Sequence, residues 1–125
     1  MEIKADFTLQ GLTIQSTADV LRMVTADALF DVTIDNCLFL LGGSTANSSR
    51  TIYANEAPQQ LRNISITNCT FDGGANGTGR FIYLYGGSEL ASISGTALID
   101  HCTFYNSTDT RGVYPANLDN THITN

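Results

Sequence analysis

Charged residues are scarce in this sequence: they make up 14% of its 125 residues, whereas hydrophobic residues make up 42%. Gly, Ser, Thr and Asn are abundant, a bias that excludes a disordered tail or a helical bundle and favours strands and turns. The 12 acidic residues outnumber the 6 basic ones, which gives a net charge of -6. A field of that sign repels nucleic acid and anionic lipid, so we expect neither as a partner.

The chain also lacks any apolar run of the roughly 18–20 residues needed to cross a bilayer. Its first residues, Met1 to Lys4, do not lead into the hydrophobic region of a signal peptide. We therefore predict no membrane span, and we expect any export signal to lie outside this chain.

Metal-binding patterns are missing as well. The chain has only 3 cysteines, and they lack the paired Cys and His spacing of a zinc module. The acidic residues are scattered along the chain. Asp72 and Asn76, in a glycine-rich loop, are the one place where oxygen ligands could touch a cation such as Ca²⁺. We therefore predict no metal site and no cofactor.

What the sequence does contain is an internal repeat. One strand-like unit recurs in five segments: 9–14, 29–39, 61–71, 97–104 and 118–125. A second unit lies between successive segments and opens on an arginine each time, at Arg22, Arg50, Arg80 and Arg111. Successive arginines are 28, 30 and 31 residues apart, and successive cysteines are 32 and 33 residues apart. Two independent markers therefore give nearly the same period, which indicates a solenoid.

Each copy holds short alternating apolar segments between turn residues, and helical periodicity is absent. A unit this short cannot bury its apolar face alone, whereas stacked copies share a continuous core. We therefore predict parallel coils in which equivalent residues form ladders about 4.8 Å apart. The expected inward aliphatic ladder is Ile14, Ile34, Ile66, Ile99 and Ile123. The expected aromatic ladder is Phe39, Phe71 and Phe104.

A sharp bend is predicted after each strand, at Asn36, Asn68, His101 and Asn125. Asn tolerates the left-handed conformation, and its amide can bond to the equivalent side chain in the next coil, so we expect an asparagine ladder there. The next position is occupied by Cys37, Cys69 and Cys102, for which we predict a ladder of buried free thiols. Neighbouring cysteines would also lie within disulfide range, so the arrangement is compatible with one disulfide.

The units Ile34–Phe39 and Ile66–Phe71, both of the form Ile-x-Asn-Cys-x-Phe, resemble the coils of pectin-lyase-like right-handed parallel β-helices. The resemblance covers residues 9–125 and is greatest to polysaccharide-lyase-like repeat domains of secreted Bacteroidetes-type proteins. It implies an all-β, right-handed parallel β-helix of about four to five coils, each of roughly 30 residues. We expect residues 1–125 to form a single domain that is a fragment of a longer, secreted or cell-surface solenoid.

Two rows of side chains are the candidate polysaccharide-binding residues. If the coils stack in register, Arg22, Arg50, Arg80 and Arg111 form one axial row, and guanidinium groups suit an acidic polymer. Outward tyrosines form a neighbouring row on which sugar rings can stack: Tyr53, Tyr83, Tyr85 and Tyr114. The structural alternatives are an arginine–acid ladder, with Asp19, Glu56 and Asp109 nearby in sequence, and tyrosines that merely stabilise the sheet.

No catalytic residue is predicted, because lyases of this architecture need clustered acids and a basic residue beside the substrate. His101 falls on the bend and is interpreted as a corner residue. The favoured function is polysaccharide binding by a domain that is not an enzyme by itself. The alternatives are a structural solenoid that associates end to end into filaments, and a piece of a polysaccharide lyase or glycoside hydrolase.

Overall fold

The structure is a computed structural model, and it describes residues 1–17, 20–24, 28–41, 50–54, 61–74, 80–85, 95–106, 112–116 and 121–124. Within these ranges the chain forms strands and no helix. The strands are β1 (Glu2–Ile3), β2 (Phe7–Gln10), β3 (Thr13–Ser16), β4 (Leu21–Met23), β5 (Phe30–Asp35), β6 (Leu38–Leu41), β7 (Arg50–Ala54), β8 (Leu61–Thr67), β9 (Thr70–Asp72), β10 (Arg80–Tyr85), β11 (Ala97–Asp100), β12 (Thr103–Tyr105), β13 (Val113–Ala116) and β14 (Thr121–Thr124).

The strands belong to three sheets, and every pair of neighbouring strands is parallel. Sheet A has the order β1-β4-β7-β10-β13, sheet B the order β14-β11-β8-β5-β2, and sheet C the order β12-β9-β6-β3. The chain therefore visits the three sheets in the same sequence each time and adds a strand beside its predecessor. This arrangement is consistent with a parallel β-solenoid, and the prediction of an all-β chain with parallel strands is confirmed.

The core is built from the inward side of each strand, where buried apolar residues alternate with partly exposed ones. The aromatic ladder is confirmed. Phe71 stacks on Phe39 and on Phe104 with 4.9 Å between ring centroids in each case, and Phe81 tilts against Phe71 at 5.8 Å. These contacts give one continuous apolar column through several coils, which no coil could form alone.

The aliphatic ladder was wrong at its first member. Ile14 pairs with Phe39 and so continues the aromatic column, whereas Leu9 pairs with Ile34. The bend of the first coil lies at Gly11, whose φ of 68° places it in the left-handed region. Residues 7–9 precede this bend and therefore pair with strand β5. Residues 12–14, which we expected to pair with β5, follow the bend instead, and Ile14 pairs with β6. Ile123 keeps the expected register beside Ile99, but it is 53% exposed on the outermost strand of sheet B.

The bends were predicted correctly. Asn36, Asn68 and His101 have φ values of 52°, 54° and 50°, and Asn125 lies outside the described residues. The amide contact differs from the expected one, because Asn68 Nδ2 donates to Asp35 Oδ1 at 2.8 Å rather than to the equivalent Asn36. The side chain of Asn68 therefore bonds to a carboxylate at the end of strand β5 in the neighbouring coil.

Candidate functional site

Strands β7 and β10 position two arginines and two tyrosines on the outer side of sheet A. In β7 the residues Thr51, Ile52 and Ala54 are buried, while Arg50 and Tyr53 are partly exposed. Strand β10 repeats this arrangement with Phe81, Ile82 and Leu84 buried and Arg80 and Tyr83 partly exposed. Two consecutive buried residues separate each arginine from its tyrosine, so both polar side chains remain on the solvent side.

The register of these strands confirms part of the predicted rows. Arg50 pairs with Arg80, and Tyr53 pairs with Tyr83. The backbone of Tyr114 continues the tyrosine row beside Tyr83. The side chains of Tyr114 and Tyr85 lie outside the part of the chain that the structure describes, as does all of Arg111.

The prediction that Arg22 belongs to the arginine row was wrong. Arg22 pairs with Tyr53, so it extends the tyrosine row, and its own neighbour on the other side is Glu2. The register is set by the buried residues Leu21 and Met23, which pair with Ile52 and Ala54 and leave only the tyrosine position for the residue between them. Nη1 of Arg22 lies 3.6 Å from Oε1 of Glu2 in an exposed ion pair.

The arginines of the remaining row contact the tyrosine rings. The guanidinium carbon of Arg50 lies 4.2 Å from the centroid of Tyr53 and 5.0 Å from that of Tyr83. Arg80 lies 4.9 Å from the centroid of Tyr83, and the two rings are 5.7 Å apart with an interplanar angle of 41°. Each cation–π contact at an exposed site contributes about 0.5–1 kcal/mol, which offsets part of the repulsion between stacked cations. These four residues are called the Arg–Tyr surface below.

The Arg–Tyr surface has a definite chemical character. A guanidinium carries five N–H donors in its plane, and contact with a ring uses its π face rather than those donors. The tyrosines add phenolic O–H groups and apolar ring edges. The acidic residues near these arginines in sequence, Asp19, Glu56 and Asp109, lie outside the described residues. The surface thus combines planar cationic donors with aromatic carbon at the spacing of the coils.

A network of hydrogen bonds around Asp31, near the beginning of strand β5 in sheet B, was not predicted. Asp31 Oδ1 accepts from Arg62 Nε at 2.9 Å and from Asn63 Nδ2 at 3.0 Å, and its own N–H donates to Asp6 Oδ1 at 2.8 Å. The hydrogen bonds from Arg62 lower the pKa of Asp31 to about 2. The acidic residues of this network do not recur at the same position in each copy, so the repeat pattern could not predict it.

A second polar column lies at the end of the sheet B strands. Asp35 accepts from Thr67 Oγ1 at 2.7 Å, and hydrogen bonds from Thr67 and then Asn68 lower its pKa. Asp100 lies two coils further along, where Thr124 donates to one carboxylate oxygen and Nδ1 of His101 lies 2.8 Å from the other. Both carboxylates are therefore held ionised by structural partners, and His101 is a corner residue beside one of them.

The loop proposed for a cation is partly described. Asp72 Oδ1 accepts from Asn106 Nδ2 at 2.9 Å and from the backbone N–H of Gly74 at 2.8 Å, and these hydrogen bonds lower the pKa of Asp72, the one from Asn106 most. Asn76 lies outside the described residues. Within the described ranges, no group of three or more His, Cys, Asp or Glu is placed to hold a metal ion.

An open groove follows the bend between sheets B and C. Its lining includes Leu12, Asn36, Leu38, Asn68 and Thr70, with no charged side chain among the residues that form it. Compared with this groove, the Arg–Tyr surface has both the charge and the aromatic groups that a specific ligand contact needs.

No protein-family model, curated protein or solved structure matches the chain. Among the residues described, none forms a helix long and apolar enough to cross a membrane.

Proposed function

We propose that this chain is a polysaccharide-binding domain that is not an enzyme by itself, and that its ligand lies along the Arg–Tyr surface of sheet A. The observation that supports the proposal is the stacking of Arg50 over the rings of both Tyr53 and Tyr83. Guanidinium groups fixed on aromatic rings lose less side-chain freedom when a ligand binds, because their positions are already restricted.

The polymer that suits this surface is acidic. Guanidinium groups bind carboxylates and sulfates through two parallel hydrogen bonds, and Arg50 and Arg80 recur from one coil to the next. A linear polymer that runs parallel to the axis would meet the same pair of side chains repeatedly. The overall charge of -6 opposes such a ligand, so binding must depend on local contacts and weaken as salt is added.

The proposal extends to the identity of the fold and to the location of the protein. We assign the parallel sheets to a right-handed, pectin-lyase-like β-helix, on the repeated Ile-x-Asn-Cys-x-Phe units and the left-handed bends at Asn36 and Asn68. A secreted or cell-surface location follows from the same assignment, since polysaccharides of this kind are extracellular ligands.

The test is a binding measurement on the purified chain with neutral polymers and with uronic-acid or sulfated polymers. The double variant Arg50→Gln/Arg80→Gln should bind the acidic polymer at least tenfold more weakly and show a shallower dependence on salt. Arg62→Gln is the control for the single variant Arg50→Gln, because each removes one positive charge, and Arg62 lies in sheet B, where it pairs with Asp31. Absence of binding to every acidic polymer, or equal losses in Arg50→Gln and Arg62→Gln, would refute the proposal.

A second candidate function is end-to-end association of copies into filaments. The observation that favours it is the in-register parallel pairing of successive coils, because an unpaired strand edge of one copy could pair with another copy in the same way. Unpaired strand edges of this kind promote addition of another chain. Light scattering over a range of concentrations tests it, since a mass that stays at one chain throughout would eliminate assembly.

A further inference from the structure

The three cysteines lie one above another immediately after the bends. Cys37 is 3% exposed and Cys69 is 1% exposed, whereas Cys102 is only half-buried. Their backbones are hydrogen-bonded neighbours, because Thr70 N–H donates to the carbonyl of Cys37 at 2.9 Å and Thr103 N–H donates to that of Cys69 at 2.9 Å. All three thiols are free in the structure, as predicted.

Neighbouring cysteines in this stack meet the distance requirement of a disulfide. Adjacent strands lie about 4.8 Å apart, and disulfides join residues whose Cα atoms are roughly 4.4–6.8 Å apart. In the structure each thiol of the pair Cys69 and Cys102 donates to the backbone carbonyl two residues before it: Cys69 Sγ to Thr67 O at 3.1 Å, and Cys102 Sγ to Asp100 O at 3.3 Å. Both side chains must therefore turn away from these carbonyls before their sulfur atoms can bond.

We propose that Cys69 and Cys102 are a thiol pair that a disulfide oxidant converts into a covalent bridge between consecutive coils, with Cys37 left as a buried free thiol. The inference does not depend on polysaccharide binding, because the cysteines lie at the corner between sheets B and C, away from the Arg–Tyr surface of sheet A.

The accessibility and the pKa of Cys102 distinguish the pair Cys69–Cys102 from the other neighbouring pair, Cys37–Cys69. Oxidation begins when a thiolate attacks the oxidant, so the first thiol must be accessible and ionisable. Cys102 is the only one of the three that is partly exposed, and its interaction with the neighbouring Cys69 thiol lowers its pKa to about 7. The interaction with the Cys102 thiol and burial raise the pKa of Cys69, which suits a thiol that reacts second.

The reaction balances in two steps. The thiolate of Cys102 attacks one sulfur of the oxidant, and the other sulfur leaves as a thiolate, which gives a mixed disulfide at Cys102. Cys69 then loses its proton and attacks the sulfur of Cys102, and the second half of the oxidant leaves as a thiolate. The protein loses two electrons and two protons, and the oxidant gains them and becomes two thiols.

The bridge would join residues in different coils and restrict the unfolded chain between them. The effect on the unfolded state raises the midpoint of thermal unfolding, by roughly 5–10 °C for a chain of this size. The gain should disappear when the protein is reduced.

The experiment treats the folded chain with oxidised glutathione at pH 8, blocks the remaining thiols, and identifies linked peptides by mass spectrometry. We expect a peptide that joins Cys69 to Cys102 and a blocked Cys37 in a monomeric protein. Three blocked thiols, a bond between Cys37 and Cys69, or a dimer linked through Cys102 would each overturn the proposal.

Two variants serve as controls. Cys37→Ala should form the same bridge with the same rise in thermal midpoint. Cys102→Ala should keep both of its thiols under the same treatment, because neither remaining cysteine is accessible. Circular dichroism shows whether each variant is folded, and if Cys102→Ala does not fold, the peptide map of the unaltered chain alone decides the question.

Discussion

At Gly95 a hydrogen atom fills a space that has no room for a methyl group. A Cβ at this position would lie 2.3 Å from Asn63 Oδ1 and 2.7 Å from the carbonyl oxygen of Arg62. The approach is fixed by hydrogen bonds, because Gly95 N–H donates to Arg62 O at 2.7 Å and Thr96 N–H donates to Asn63 Oδ1 at 2.9 Å. Gly95 is therefore required for the close contact between two coils, at the point where the chain enters strand β11 beside strand β8.

We predict that Gly95→Ala lowers the free energy of unfolding by about 1–3 kcal/mol, because the backbone must shift to admit the methyl group. Gly112→Ala is the control. Its Cβ would meet only Phe81 Cδ2 at 3.8 Å, an ordinary contact, so the change should stay within about 0.5 kcal/mol. Urea unfolding followed by circular dichroism measures both. Equal stabilities of the two variants would contradict the close contact at Gly95.

Among the elements, the bends were easier to predict than the register of the first coil. Asn36 and Asn68 recur before a cysteine, and their side chain tolerates positive φ, so the sequence carried a physical reason for each bend. The first bend uses Gly11 and lacks the following cysteine, so the Leu-Thr-Ile of residues 12–14 was matched to the wrong strand.

The register of the candidate site was likewise predicted only in part from the sequence. Arg50 and Arg80 share a register, and their spacing predicted it. Arg22 also precedes an apolar residue, but the burial of Leu21 and Met23 places it beside Tyr53 instead. Spacing along the chain does not reveal which face is buried when a coil is shorter than the others. The contact of Arg50 with two rings depends on side-chain conformation, which the repeat does not specify.

The aromatic column should carry much of the stability of the middle coils. Phe71 is fully buried and contacts Phe39, Phe81 and Phe104, whereas Phe104 is only partly buried near the edge of sheet C. We predict that Phe71→Ala costs about 3–5 kcal/mol of unfolding free energy, since it leaves a cavity between rings that are held on both sides. Phe104→Ala should cost less. Denaturant unfolding of the two variants checks the order, and a larger loss at Phe104 would contradict the packing.

For the whole molecule, the carboxylates predict how stability depends on pH. Asp31, Asp35, Asp72 and Asp100 all have lowered pKa values through hydrogen bonds from neighbouring side chains. The unfolded chain therefore binds more protons than the folded chain at acidic pH. Their stabilising effect is complete above the ordinary carboxyl pKa and is lost as pH falls through the folded values.

We predict that the thermal midpoint falls as the pH is lowered from about 5 to about 2. For Asp31 the pKa falls from its ordinary value of 3.8 to about 2, which places its contribution inside this window. Asp31→Asn should start from a lower midpoint and lose less of it over the same range. Calorimetry at several pH values measures both slopes, and parallel curves for the two proteins would show that Asp31 does not contribute.

The central proposal is that an acidic polymer binds at the Arg–Tyr surface, and amide chemical-shift mapping tests it directly. Titrating the ¹⁵N-labelled chain with a short uronic-acid oligomer should shift the amides of strands β7 and β10 most, around Tyr53 and Tyr83. The outer faces of sheets B and C should change little. Saturable shifts confined to sheet A would support binding at the Arg–Tyr surface. Shifts centred on sheet B or on the groove at the bend, or no saturable shifts at all, would contradict it.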